Sequence, residues 1–482
     1  MSLSRDAIVE HLQQMLGSEN VLTDEHLLQQ RSIDNFRKLQ NIFGVYTMPL
    51  PAAVAMVHST DDVSLVLAFA DANGVNIVAR TGGTATEGGL ETPVQNSVVL
   101  DGSQMNEIIK IDAYNMQATV QCGVPLQVLE DQARELGLTT GHSPQSKPVA
   151  QMGGLVATRS IGQFSTLYGG IEDMVVGCEV VFPGGHVSRI KNVPRRAAGP
   201  DIRHIVIGNE GALCFITEVT VKLFPYMPEN NMFLGWTLKR MTTGFGALRE
   251  VMVAGYKPSV ARLYDPEDGQ LHFSSFAAPD DCVLLFMAEG AAGIAKATAE
   301  GIAEIVGHHA ECVPVESRLI AEWFDDLVWG ADKITREDER IRTTHNVNRT
   351  TEISADWSSI NDIYEAALAR IRSEIRGITL LGGHSSHSYI NGTNMYFNYF
   401  YDLIDCAPED ETTKYYLPII SIICEETLRF GGSIVHHHGI GKARAPWVRD
   451  EYGSSYAMLE TLKRAFDPNG IMNMGTIIPR SP

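Results

Sequence analysis

The stretch Arg80-Thr81-Gly82-Gly83-Thr84-Ala85-Thr86-Glu87-Gly88-Gly89 places four glycines and three threonines in ten residues, directly after the strand-like residues 75–79. Glycine frees the backbone to turn so that its N–H groups converge on an anion, and threonine hydroxyls add further donors. Such a loop suits a pyrophosphate, although a Gly-rich hairpin has the same composition. It is not a Walker loop, because no Lys-Ser/Thr follows, and it does not open a helix as Gly-x-Gly-x-x-Gly. ATP and the usual NAD sites therefore lose support. Upstream, residues 52–57 form an apolar run, Ser59 or Thr60 can N-cap a helix over 61–73, and Gly74 can end it. Downstream come strand-like residues 97–100 and 118–122, a helix over 125–136 stopped by Gly137, and a strand over 174–182. The result is a mixed α+β domain reaching to about residue 225.

Two further clusters continue the loop's chemistry. Thr140-Gly141-His142-Ser143-Pro144-Gln145-Ser146 is followed by Gly153-Gly154-Leu155-Val156-Ala157-Thr158-Arg159-Ser160-Ile161-Gly162 and by Tyr168-Gly169-Gly170-Ile171-Glu172-Asp173. Gly208-Asn209-Glu210-Gly211-Ala212-Leu213-Cys214-Phe215-Ile216-Thr217 then enters another strand. Small residues and hydroxyls recur where a long flat ligand can lie against backbone.

The 482 residues carry 38 Lys+Arg against 58 Asp+Glu, a net charge of −20, with no basic cluster longer than Pro194-Arg195-Arg196. That argues against nucleic acid or an anionic membrane as partner, since both need a local excess of cations. The seven cysteines are scattered and never in Cys-x-x-Cys spacing, which predicts reduced core residues in a cytoplasmic protein. The N-terminal Met-Ser-Leu-Ser-Arg-Asp-Ala-Ile-Val-Glu lacks the apolar run of a signal peptide, and the apolar stretch 417–424 is far short of the ~20 residues that span a bilayer. Neither export nor a membrane span is expected. Residues 1–45 read as amphipathic helical turns, and the middle of the chain, 229–378, alternates strand-like with helical segments. Residues 432–435 read as a strand, 455–466 as a helix, and Asp467-Pro468-Asn469-Gly470 as its stop.

His436, His437 and His438 follow apolar Ile434-Val435 and precede Gly439-Ile440-Gly441-Lys442. In an extended segment, alternation puts His436 and His438 on one face and His437 on the other. A metal-affinity tract at the surface, core histidines satisfied by partners, and an active site are the three readings of such a run. Gly383-His384-Ser385-Ser386-His387-Ser388-Tyr389-Ile390-Asn391-Gly392-Thr393-Asn394-Met395-Tyr396-Phe397 reads as a companion strand-turn-strand.

In order and spacing, the three glycine-rich pieces resemble the FAD-binding domain of the vanillyl-alcohol oxidase and p-cresol methylhydroxylase (PCMH) type. The match covers about residues 51–226 and resumes from 384 to the C-terminus. Among subfamilies, the chain is similar to alkylglycerone-phosphate synthase and its bacterial FAD-linked oxidoreductase relatives, on Pro194-Arg195 through Gly199-Pro200-Asp201-Ile202-Arg203-His204, Ser386-His387-Ser388-Tyr389 and His436-His437-His438-Gly439. The resemblance implies an α+β chain with a two-subdomain PCMH-type FAD-binding domain and an α+β substrate (cap) domain built on an antiparallel sheet. The expected division is a helical arm over 1–45, the FAD domain over 46–226, the cap over 227–440, and a segment over 441–482 returning to the FAD domain.

By position, the resemblance implies that Ala79, Arg80, Thr81, Gly82, Gly83, Thr84 and Ala85 wrap the FAD pyrophosphate. Gln145, Ser146, Gln151, Gly153, Gly154, Thr158, Arg159, Ser160 and Ile161 then line the flavin and ribityl chain, and Glu210, Gly211 and Ile216 the adenine side. Ala79, Thr81 and Ala85 stand where the family usually has Pro, Gly and Ser. No His stands in the loop where some relatives attach flavin covalently, so dissociable FAD is expected. Tyr396, with His436, His437 and His438, is the implied catalytic acid–base group, and Arg262, His142 and His387 the implied substrate contacts; Arg342 and Arg349 are candidates for a second substrate arginine. Relatives that hold a divalent cation use two His and a Glu where this chain has Tyr389, Tyr396 and His437, a poor set for a hard or borderline cation, so no metal is expected.

The expected activity is hydride transfer from a small hydroxylated, anionic metabolite, a hydroxy acid or sugar acid, to flavin N5. The alternative is a transferase without net redox, which exchanges acyl for alkyl on dihydroxyacetone phosphate. An electron-transfer flavoprotein or a quinone as acceptor, and a homodimer, are family-level expectations.

Overall fold

The computed structural model describes residues 3–325 and 331–479. The reading around the Gly-rich loop translates directly into a small parallel sheet. Strands Ala53–Met56 and Ile77–Arg80 flank Val98–Asp101 in parallel. The crossover between the first two is the helix Thr60–Asn73. Ser59 and Asp62 close a reciprocal capping box at its start, and Gly74, in the left-handed region, ends it. The fourth strand of this sheet, Val21–Leu22, comes from the N-terminal segment and pairs with Val54 and Ala55. Residues 3–45 are thus woven into the first sheet and carry the helices Arg5–Leu16, Glu25–Arg31 and Lys38–Phe43.

A second, antiparallel sheet has the order Ile108–Asp112, Gln117–Gln121, Phe215–Lys222, Val175–Phe182, His186–Ile190. The two sheets make the two subdomains of the FAD half. A third sheet, also antiparallel, has seven strands in the order Val313–Val315, Met232–Leu238, Cys282–Ala288, Val260–Tyr264, Ile378–Ser385, Gly392–Asp402, Asn346–Asp356. Helices Met241–Val253, Ala292–Gly307 and Ile360–Glu374 pack on it, and Leu417–Arg429 packs on the last of these. Period-two alternation divides its side chains: Met395, Phe397, Tyr399 and Tyr401 enter the helix-covered core, while Tyr396, Asn398 and Phe400 face a cavity.

The C-terminal segment runs back to the first sheet. Met472 bridges Ile77, and the Asn473 amide donates to the carbonyls of Gly89 and Glu210. The helix read over 455–466 is Tyr456–Phe466. The strand read over 432–435 is reduced to a single bridge between Ser433 and Ser354, because the chain then bends rather than running on beside Asn346–Asp356. All seven cysteines are free thiols, five of them buried. Among the described residues no helix is long and apolar enough to cross a membrane.

Candidate active site

A cavity of about 920 Å³ lies between the loops of the FAD half and the open face of the third sheet, at the upper end of ordinary ligand pockets. Its long arm follows the loop 79–85, residues 143–161 and residues 210–216. The residues here fit a bound dinucleotide, because two backbones meet with no room for side chains. A Cβ on Gly82 would stand 2.7 Å from the Val149 carbonyl oxygen and 2.9 Å from the Gln151 nitrogen; one on Gly154 would meet Thr81 Oγ1 at 2.9 Å. Gly83 turns at φ +71°, a conformation that favours glycine. No backbone N–H from Gly82 to Ala85 donates to a protein acceptor among the described residues, and Gln151 Oε1 is buried without a partner. These are donors and an acceptor left for a ligand, the donors being of the kind that a pyrophosphate accepts from. Arg80 contributes less charge than its position suggests, since Asp101 neutralises it at 2.8 Å.

The short arm ends on the histidine run, which is a turn wrapped around carboxylates. The backbone N–H groups of His436, His437 and His438 all donate to the buried carboxylate of Glu352. Those of Ile440 and Gly441 donate to Glu210, each at 2.7 Å, and those of Lys442 and Ala443 to the Glu87 carbonyl. Arg444, fully buried, ties the arrangement together through Glu87 at 2.9 Å and Glu352 at 3.7 Å. Alternation therefore does not govern the three side chains. His437 Nε2 is hydrogen-bonded to the Tyr396 hydroxyl at 2.7 Å, and His436 Nε2 to the Tyr389 hydroxyl at 2.7 Å. The two Nδ1 atoms meet at 2.9 Å, and His438 Nδ1 is buried with no hydrogen-bond partner.

Beside them, the His384 ring is sandwiched between Tyr264 and Tyr396, each with centroids 4.7 Å away. Its Nδ1 lies 2.5 Å from Asp268, a fully buried carboxylate that also accepts from Asn398. Arg262 projects from the strand next in the sheet. It donates to the Tyr264 hydroxyl at 2.7 Å and lies over Trp323; its Nε is buried without a partner.

Burial sets the protonation of this end. It pushes His436 down to about 4 and His438 down to about 3, and holds His437 and His387 well below the usual imidazole range. It pushes the Tyr396 phenol up, reinforced by the charge of Glu352. The histidine row thus supplies no imidazolium to ionise the tyrosine. At neutral pH the site holds a neutral phenol joined to neutral imidazoles.

Residues 51–191 match the model of an FAD-binding domain, and residues 227–477 that of the C-terminal domain of FAD-linked oxidases. The chain belongs to the FAD-linked oxidases. It is 64% identical over 482 residues to an uncharacterised FAD-linked oxidoreductase, YgcU, of Escherichia coli K12, with 99% of each chain covered. It is 29% identical to an alkyldihydroxyacetonephosphate synthase of Caenorhabditis elegans over 89% of this chain and 76% of that one. The solved structure of p-cresol methylhydroxylase superposes with a TM-score of 0.77 over 98% of this chain and 97% of the other, at 18% identity. The protein is an FAD-linked oxidoreductase with FAD as its cofactor.

In this FAD-linked oxidase the cavity gathers nearly every residue expected to touch the cofactor: Ala79 through Ala85, Gln145, Ser146, Gln151, Gly153, Gly154, Thr158, Ser160, Ile161, Glu210, Gly211 and Ile216. Arg159 is the exception, turned out to pair with Glu172 at 3.2 Å. Arg262, His387, Tyr396, His437 and His438 also line the cavity; His436 and His142 do not. His142 lies beneath the loops against Ser160, at 3.2 Å. Arg349 borders the cavity, but its guanidinium is bound to Glu411 at 2.9 Å and to backbone carbonyls, and Arg342 binds the carbonyl of Ile42. The charge of Arg349 is thus taken by Glu411, and Arg342 is exposed and does not line the cavity. Ligand atoms of His387, His436 and His437 lie within 4.8 Å of one another, yet the ring nitrogens of His436 and His437 are engaged with each other and with the two tyrosines.

Sequence reasoning passed over Glu352, Glu87 and Asp268 as parts of the site. Glu352 had a legible signal, an acidic residue within the β-branched run Asn346–Asp356, whereas nothing local marks the others.

Proposed function

We propose that the protein oxidises a small hydroxylated anion, a hydroxy acid or sugar acid, with Tyr396 and His437 taking the hydroxyl proton and Arg262 holding the anionic end. The observation that carries this is Arg262: a guanidinium only 6% exposed, on the cavity wall, bonded to the Tyr264 hydroxyl and to no carboxylate among the described residues, with its Nε left without a partner. A buried charge left unpaired is costly, and a carboxylate or phosphate arriving with the substrate offsets that cost with bidentate hydrogen bonds. Bound FAD supplies the two-electron acceptor. Tyr396 accepts the hydroxyl proton as it hands its own to His437, so no free phenolate is required. His384, stacked on Tyr396 and fixed by Asp268, holds the phenol ring in place. The FAD is dissociable, because the pyrophosphate loop presents backbone donors and no histidine to attach a flavin.

The test is an anaerobic spectrum of the FAD-loaded protein while hydroxy acids, sugar acids and phosphorylated polyols are added singly. Bleaching of the visible flavin band by one class, abolished in Tyr396→Phe and weakened in concentration dependence by Arg262→Lys, is the expected result. Bleaching by none of them, with product formed from acyl dihydroxyacetone phosphate and a fatty alcohol, would replace this reading by group transfer.

A further inference from the structure

Tyr396, His437, His436 and Tyr389 form one unbroken hydrogen-bonded chain, with steps of 2.7, 2.9 and 2.7 Å. It begins inside the cavity and ends outside it. Tyr396 and His437 line the cavity, whereas His436 and Tyr389 do not, and Tyr389 is half-buried beside the exposed Ile390. The residues come from separate elements: Tyr396 from a strand of the third sheet, Tyr389 from the turn before it, and the histidines from the carboxylate-held turn.

The proton count of the chain is decisive. Two neutral imidazoles joined Nδ1 to Nδ1 must be one donor and one acceptor, so their Nε2 atoms are also one of each. Two arrangements satisfy all three bonds. In one, Tyr396 donates to His437, His437 to His436, and His436 to Tyr389; in the other every bond is reversed. Passing from the first to the second moves one proton along each link.

We propose that this chain is a proton relay, which carries the proton released from a substrate hydroxyl at Tyr396 out to Tyr389 and the surface without charging either histidine. The proposal rests on the oxidation reading above. The hydride, with the carbon–hydrogen electron pair, goes to the two-electron acceptor, and only the proton of the breaking O–H bond enters the relay. Tyr396 gains it and gives its own to His437 Nε2; His437 Nδ1–H passes to His436 Nδ1; His436 Nε2–H passes to Tyr389; Tyr389 releases its proton to water or to a carboxylate. Every member ends with the number of protons it began with. Burial explains why a relay is needed: an imidazolium at His437 would be desolvated, so a proton parked there is costly. The receiving end is acidic in composition, since Glu172 and Asp173 are the charges acting most strongly on Tyr389 and Glu172 Oε2 is buried without a partner. Tyr389 and His436 are positioning residues; Tyr396 alone of the tyrosines meets the substrate.

Tyr389→Phe in the full, FAD-loaded chain tests this, with His436→Gln as a second variant in case the first fails to fold. With ¹⁵N-labelled histidine, the wild-type pair is expected to show one Nδ1–H and one Nε2–H ring, both neutral at pH 7. Tyr389→Phe, two links away, should shift the His437 nitrogens. With the compound that bleaches the flavin, the single-turnover rate should fall about a hundredfold, the lower end of what a positioned proton transfer contributes, with unchanged substrate affinity and a larger solvent deuterium effect. Unaltered His437 shifts together with an unaltered rate would overturn the relay. So would uptake of one Zn²⁺ per chain by EDTA-treated protein that moves the His436 and His437 signals, since those nitrogens would then be ligands. Failure of the oxidation reading looks different: no compound bleaches the wild-type flavin, while the His437 signals still respond to Tyr389→Phe.

Discussion

The loop over 82–85 and the turn over 436–441 use the same device in opposite ways. Each is a glycine-containing bend that presents a run of backbone N–H groups. In the loop they donate to no acceptor among the described residues, so the anion they suit must arrive as ligand. In the turn Glu352 and Glu210 already occupy the focus. The difference is one of vacancy: the loop's donors are left open to a ligand, while donors filled by the protein's own carboxylates fix the imidazoles of the histidine run.

Emptying the filled turn should have the largest effect. Glu352→Ala orphans three backbone donors and leaves Glu87 as the one carboxylate beside buried Arg444 among the described residues, so stability should fall by about 3–5 kcal/mol, read by urea unfolding, with loss of flavin reduction. Tyr396→Phe leaves both bends intact and removes only the acid–base group. Flavin reduction should drop about 10²–10⁴-fold at unchanged FAD affinity, measured by stopped flow and fluorescence titration. Gly82→Ala does the converse. Its Cβ would press on the Val149 carbonyl at 2.7 Å, and overpacking of about 1–3 kcal/mol should weaken FAD binding roughly ten- to a hundredfold. The rate of the loaded enzyme should stay the same.

The most gradual effect, slight near neutrality, is a pH slope. His438 is neutral in the fold, held down to about 3 by burial, and takes a proton on unfolding below its ordinary value of about 6.5. Unfolded chain therefore binds more protons between those values, and acid destabilises the fold through this residue. Relative to His438→Gln, the wild type should lose up to about 1.4 kcal/mol per pH unit as pH falls from 6.5 towards 3, visible in paired thermal melts. A constant difference across that range would show that His438 is already charged in the fold.

Much of the cofactor half was legible because its signals are local. The capping residues Ser59 and Gly74, the crossover helix, and the loop glycines act within a few residues of themselves, and the helix ends where they place it. All the residues expected at the cofactor but Arg159 border the cavity. The reaction half was read less well. Alternation set His436 beside His438, but it presumes an extended strand, and the carboxylate of Glu352, 84 residues away from His436, bends the segment instead. Arg349 looked like a substrate cation until Glu411, 62 residues on, took its charge.

The sequence by itself determined the mixed architecture, the pyrophosphate loop and the presence of a tyrosine–histidine cluster, because backbone freedom, helix caps and residue chemistry are properties of short segments. Only the tertiary structure decided which bend stays open, which arginine remains unpaired, and that the histidines are neutral and linked in line from Tyr396 to Tyr389. Those outcomes depend on burial and on carboxylates brought in from distant strands, and desolvation is a property of the packed molecule that no local stretch of sequence expresses.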